Sequence, residues 1–412
     1  MKINKETQTI LVKGVLFSLG ILLLIRVGTF IPVPVINHRD LAFYLQRHSA
    51  AKNLISTFSG DNTFIIGLFT LNIFPYINAT IFVQLLSAFS PKLAKLQKEG
   101  DFVSRRSINR LTRFITLGWA IIQSTGISLY LRQVLFDWNI FLAIEIVLWL
   151  TTGAMIVLWL SELITDYGLG NGTSLLIYTN IISNLPNLFK KLIVENSENF
   201  TFFSTIGTLF LIFISFYGIV LLQQGNKKIP LISSKQLNQS FKQNRVNSYL
   251  PLRFNQAGVM PIILTSASLV VPNYIVNLEV FQWLNFLTTF KSLYWVSYFA
   301  LILGFSSFYS FIVLNPKDLS DQLQKSAVTI PGIRPGVQTT FYLKQTIKRV
   351  TLIGAVMLAA ITVVPNLIES SLNVTGISGL SITSLLILAG VVLDLIREIE
   401  NIYYSNIYNN MY

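Results

Sequence analysis

Long, unbroken apolar runs alternate along this chain with short polar stretches that are mostly basic. Ten runs stand out, at about 10–31, 64–89, 114–131, 140–160, 173–189, 201–222, 257–276, 292–314, 350–365 and 377–393. Runs of this length carry an α-helix across the hydrocarbon core of a bilayer. A closed β-barrel would need ten-residue segments of alternating polarity, and these runs do not alternate. The pattern therefore predicts an all-α membrane protein with ten transmembrane helices.

Ten spans divide into two sets of five. Five is odd, so two homologous halves would lie in the membrane with opposite topology. The expected halves are 1–195 and 196–412, the second carrying basic loops at 223–255 and 314–349. The second span of each half starts at a break, Asn72-Ile73-Phe74-Pro75-Tyr76 in one and Ala257-Gly258-Val259-Met260-Pro261 in the other. Interrupted helices at corresponding positions point to where a membrane protein handles its substrate. Ordinary proline kinks, tolerated by neighbouring helices, account for the same residues.

Composition agrees with the pattern. Of 412 residues, 52% are hydrophobic and 12% charged, about half the charge of a soluble chain. The 31 Lys and Arg set the orientation. With the N-terminus inside, 23 fall on inside segments, among them Lys92, Arg105, Arg106, Arg110, Lys227, Lys228, Arg245, Lys317 and Arg349. Seven fall outside, and Arg26 lies within the first span. Both termini are thus expected on the cytoplasmic or stromal side. No Ala-x-Ala-like cleavage site follows the first apolar run, which predicts a retained span. No Arg- and Ser-rich transit peptide precedes it, which predicts synthesis in the compartment where the protein works.

Candidate chemistry is sparse. There is no cysteine, and the two histidines, His38 and His48, share one loop, so no metal centre and no cofactor are expected. Gly376-Ile377-Ser378-Gly379 matches the G-x-S-G pattern of intramembrane serine proteases. Such a serine needs a base on a neighbouring helix, and neither histidine is placed to supply it; no enzyme is expected. An ion-coupled secondary transporter with inverted repeats is the alternative from another class. It needs ionisable groups at membrane depth. With Lys13 counted to the inside segment, only Arg26 and Glu145 lie inside spans, both near span ends, with Asp394 at the edge of the last.

Aliphatic residues fill the interior instead. Ile73 and Ile77 share a face by i, i+4 spacing, as do Ile177 and Ile181; ordinary core or lipid-facing packing accounts equally well for each pair. The basic loop 223–255 suits either an anionic partner or topology control. In Ile330-Pro331-Gly332-Ile333-Arg334-Pro335-Gly336, two Pro-Gly pairs flank one arginine. They present Arg334 on a stiff tip, which suits recognition. Gly168-Leu169-Gly170-Asn171-Gly172 lacks the Lys-Ser/Thr of a phosphate loop and reads as a tight turn.

Five segments, in order, resemble the SecY family of protein-translocase channel subunits. They are Ile73–Ile81, Gly168–Ser174, Pro251–Pro261, Pro331–Gly336 and Thr383–Ile387. The resemblance runs from about Val15 to Asn401 and implies an hourglass of two five-helix halves. At its waist it implies a ring of Ile73, Ile77, Ile177, Ile181, Ile263 and Ile387. It also implies a plug at about 53–61 and a lateral gate with Asn78 and Val271 across it. Arg253 and Arg334 would lie on the partner-binding cytoplasmic loops. Implied partners are a SecE-like small subunit, a SecG-like subunit, a SecA motor or the ribosome, signal sequences and membrane lipid. The chain departs from the family pattern in its polar plug stretch and in Met260, where an aliphatic residue is usual. Its Asn-, Ile-, Phe-, Tyr- and Lys-rich composition points to a plastid-encoded protein of the thylakoid membrane, with a bacterial inner membrane as the alternative.

A ring of this kind makes physical sense. A dry aliphatic constriction stops ions by dewetting and offers a passing polypeptide no polar site to stick to. A gate open to lipid lets apolar segments leave at roughly −0.3 to −0.6 kcal/mol per Leu, Ile, Phe or Val.

Overall fold

A computed structural model of the chain describes residues 5–34, 36, 66–90, 93, 96, 102–132, 139–194, 202–233, 248–256, 258, 260–262, 264–265, 291–372 and 382–409. Long apolar helices dominate it. In the first half these are α1 (Lys5–Thr29), α2 (Phe74–Phe89), α3 (Phe102–Leu131), α4 (Ile140–Tyr167) and α5 (Gly172–Val194). In the second half α6 (Phe202–Gln224) leads into strands β1 (Asn226–Pro230), β2 (Ile232–Ser233) and β3 (Tyr249–Arg253). Then come α7 (Lys291–Val313), the short α8 (Pro316–Lys325), strand β4 (Val328–Thr329), α9 (Val337–Leu372) and α10 (Ile382–Asn409). Nine of the ten predicted spans thus meet a helix among the described residues, eight of them a long one; the second meets the 16-residue α2, with 66–73 not helical, and most of the seventh, 257–276, lies outside the described residues.

The helices outrun the apolar stretches that predicted them. α3 starts at Phe102, well before 114, and its added turns carry Arg105, Arg106 and Arg110. α9 starts at Val337 against an expected 350, and α10 runs on to Asn409 against 393. Hydropathy marks where a helix is in hydrocarbon, and a backbone already helical continues into water without a break.

Two compact units divide the chain. One comprises Met1–Lys190 with Val391–Tyr412, the other Lys191–Gly390. The core of the first contains Val33, Ile36, Ile66, Leu71, Ala120, Leu131, Ile146, Leu150 and Ala154. On α4 the buried set recurs at helical spacing, through Ile146, Leu150, Gly153, Val157 and Leu160. Phe141, Leu148 and Trp159 of the same helix are exposed, as lipid-facing side chains are in a chain taken alone. Hydroxyls inside the helices bond to their own backbone: Thr112 to the Ile108 carbonyl at 2.9 Å, Thr116 to the Thr112 carbonyl at 2.7 Å and Thr179 to the Leu175 carbonyl at 2.8 Å. That satisfies polar groups where no water is at hand.

The second unit has two cores. One packs Ile219 and Leu222 of α6, Ile302 of α7, Leu358 and Val363 of α9 and Leu386 of α10, and Ser310 and Thr351 share a hydrogen bond of 2.7 Å between α7 and α9. The other joins Ile229, Leu252, Ile330, Leu343 and Ile347. It sits under two small antiparallel sheets: β1 pairs β3 with Asn226 opposite Arg253, and β2 pairs β4 with Ile232 opposite Thr329. The described parts of the two basic loops expected from sequence therefore share one core and form a folded subdomain.

Candidate functional site

The break before α2 is built by close backbone approaches. Residues 66–73 thread past α1 and α4, with Val33 N–H donating to the Ile66 carbonyl at 3.1 Å and Leu68 N–H to the Ile31 carbonyl at 2.9 Å. A side chain at Gly153 of α4 would strike the Leu68 carbonyl, and one at Gly67 would strike the Thr29 carbonyl. Only glycine lets the backbones come this near.

At the end of this thread Asn72 takes the left-handed conformation, φ 47°, which Asn tolerates better than most residues. Its side chain is 4% exposed. The Oδ1 atom accepts from Ile73 N–H at 2.8 Å, and Nδ2 donates to Oδ1 of Asn180 on α5 at 2.9 Å. Pro75 then falls in the first turn of α2, where a missing N–H breaks no helical bond.

The Asn72–Asn180 bond links the chain segments that carry four of the residues singled out in sequence. Ile73 is the N-cap of α2 and Ile77 lies in its first turn, with Ile77 N–H donating to the Ile73 carbonyl at 3.1 Å. Ile177 and Ile181 lie on α5, Ile177 three residues before Asn180 and on its side of the helix. Ile73 is 1% exposed, whereas Ile77, Ile177 and Ile181 are half-buried. Asn78 of α2 is half-buried too, and in the second unit Ile387 of α10 is half-buried beside fully buried Leu386. Ile263, Val271 and the plug stretch 53–61 lie outside the described residues, as do His38, His48 and Gly376–Gly379.

Behind α2 a cavity of about 170 Å³ opens toward α3, lined by Tyr76, Thr80, Gln84, Ser87, Asn109 and Thr112 among others. Arg113 of α3 and Glu162 of α4 form an ion pair at 2.8 Å. Of the two span-end charges, Arg26 lies over the Phe30 ring, 5.2 Å from its centroid, and Glu145 is exposed near the start of α4.

The glycine-rich turn 168–172 is more than a linker. Leu169 N–H donates to Ser18 Oγ of α1 at 2.9 Å, Gly170 N–H to Glu398 of α10 at 3.1 Å and Gly172 N–H to Thr165 Oγ1 at 2.9 Å. Ser18 and Glu398 are far from the turn in sequence and carry no local motif.

Arg253 and Arg334 both ride the folded subdomain of the second unit. Arg253 ends β3, next to buried Leu252. Arg334 is exposed on a turn closed by Ile333 N–H to the Ile330 carbonyl at 3.1 Å, with Gly332 at φ 77° and Gly336 at φ 102°. Thr339 Oγ1 donates to the Arg334 carbonyl at 2.9 Å, and Ser320 Oγ of α8 to the Gly336 carbonyl at 3.1 Å. The stiff tip expected from the Pro-Gly pairs is thus held by hydrogen bonds on both sides. Sequence reasoning missed that the two arginines share one core, because strand partners far apart in sequence, such as Ile232 and Thr329, leave no local signal.

Residues 67–396 match the family model described as SecY. The chain is 59% identical to the protein translocase subunit SecY of Trieres chinensis, over 98% of this chain and 98% of that one. A solved structure described as concerning the SecY plug domain, which stabilises the closed state of the translocation channel and maintains a membrane seal, superposes with a TM-score of 0.63. Its identity is 16%, over 95% of this chain and 92% of that chain. Sec61 in the canine ribosome-channel complex from the endoplasmic reticulum superposes with a TM-score of 0.59 at 15% identity, over 95% and 92%. At such identities the two structures speak for the fold alone.

Proposed function

We propose a working arrangement for this chain, which belongs to the SecY family and is the pore-forming subunit of a protein-translocation channel. It is a multi-pass integral membrane protein with the ten-helix channel fold, and it transports proteins without being an enzyme. The ion-coupled carrier is not favoured.

In the proposed arrangement Ile73, Ile77, Ile177, Ile181, Ile263 and Ile387 form the constriction. The 53–61 stretch is the plug, and Asn78 and Val271 face each other across the lateral gate. The halves 1–195 and 196–412 are the two leaves that part when it opens. Both termini and the subdomain bearing Arg253 and Arg334 face the cytoplasm or stroma. There they receive a SecA-like motor or the ribosome, while SecE-like and SecG-like subunits clamp the channel in lipid. Likeness to the Trieres chinensis protein, together with the composition, favours the thylakoid membrane.

One observation carries the constriction: the hydrogen bond of Asn72 to Asn180 joins the two helices that bear four of its isoleucines. Photo-crosslinking side chains at Ile77, Ile181 and Ile387, tested on a translocating polypeptide arrested midway, check it. Crosslinks from these positions and none from Leu23, which is exposed on α1, are expected. Equal crosslinking from Leu23, or none from the isoleucines, would overturn the arrangement.

A further inference from the structure

We infer that Asn72 and Asn180 are positioning residues for the seal of the channel. Their amide bridge sets the register between Ile73 and Ile77 on one helix and Ile177 and Ile181 on the other. The inference rests on the reading of these isoleucines as the constriction.

The geometry is specific. Asn72 directly precedes Ile73, and its side chain uses both ends. Oδ1 holds the Ile73 N–H at 2.8 Å, which fixes where α2 begins, and Nδ2 reaches Asn180 Oδ1 at 2.9 Å. Asn180 follows Ile177 by three residues, on the same side of α5, and adjoins Ile181 in sequence. A slip of either helix by one residue would break the bond and carry the isoleucines with it. The left-handed backbone at Asn72, φ 47°, needs no amide, because glycine adopts it freely. The amide is therefore present for its hydrogen bonds.

The bridge also keeps polar atoms from wetting a dry surface. An aliphatic constriction stays closed partly because water will not enter it, and two amides nearby would invite water if they were unpaired. Paired with each other, Asn72 buried and Asn180 half-buried, Asn72 Nδ2 and Asn180 Oδ1 have a partner without it. Breaking the pair loosens the register and leaves an orphaned amide beside the isoleucines.

The test uses the full-length chain with its co-purified partners in lipid vesicles, read by resting ion leak and by uptake of a precursor with a defective signal sequence. Asn72→Gly keeps the backbone and removes the amide; Asn180→Ala removes its partner and leaves the Asn72 cap in place. Asn180→Ala is expected to raise leak about fivefold, the effect of losing one hydrogen bond, and Asn72→Gly, which also frees the Ile73 N–H, at least as much, both at normal abundance. The double variant is expected to leak no more than Asn72→Gly alone. Ile77→Asn serves as the comparator. If it leaks while neither asparagine variant does, the bridge is refuted and the constriction stands. If Ile77→Asn does not leak, the constriction reading fails and the bridge with it. Effects that multiply to about twenty-fivefold in the double variant would show two independent residues, and would overturn the bridge. Should Asn72→Gly fail to accumulate, Asn180→Ala decides alone.

Discussion

Ile387 is half-buried on α10 beside Leu386, which is fully buried in the core of its unit. Replacing it with Asn puts an amide where the proposed constriction is dry, and it removes aliphatic contacts worth about 1–3 kcal/mol of closed-state stability. A loss of about 1.4 kcal/mol raises the open fraction tenfold. Single-channel conductance and export of signal-defective precursors should therefore both rise; a variant with wild-type leak would remove Ile387 from the ring. Arg334 calls for a different test. Its turn is pinned by Thr339 and Ser320, so the guanidinium has a fixed origin and suits bidentate, charge-assisted contacts. Loss of such a contact costs about 1.5–3 kcal/mol. Arg334→Glu is accordingly expected to slow partner-driven translocation by roughly tenfold to a hundredfold with normal membrane abundance, whereas Lys325→Glu should do far less. Equal effects at the two positions would reduce Arg334 to a topology charge.

At the scale of elements, the packing of α4 turns on one glycine. A Cβ at Gly153 would meet the Leu68 carbonyl, which is backbone and cannot swing aside, whereas a Cβ at Gly126 of α3 would meet nothing within 4 Å. Gly153→Ala should destabilise the protein by about 1–3 kcal/mol, and Gly126→Ala should be neutral or stabilise it by up to about 1 kcal/mol. Thermal denaturation in detergent separates the two, and shifts of the same sign would contradict this packing. Elements were also where the sequence was read most and least well. The membrane parts of nine helices were visible because apolar length is a local property. The polar ends of α3, α9 and α10 were not, since a helix leaving the membrane loses the hydropathy that marks it. The pairing of Asn226–Pro230 with Tyr249–Arg253 was hidden because register depends on a partner strand. The bond of Asn72 to Asn180 spans 108 residues, and nothing near either asparagine announces it.

For the whole molecule, the central claim is that the channel opens sideways as well as across the membrane, so that one device serves both secretion and insertion. The chain has no cysteine, and so a pair can be introduced without background. Cysteines at Asn78 and Val271, placed in the full complex in vesicles and joined by a short bifunctional reagent, lock the proposed gate. Secretion of a signal-bearing precursor and insertion of an apolar segment are then measured before cross-linking, after it, and after release with reductant. The account predicts that both activities fall together and both return on release, with the channel intact throughout. Undiminished secretion and insertion through the cross-linked channel would contradict it.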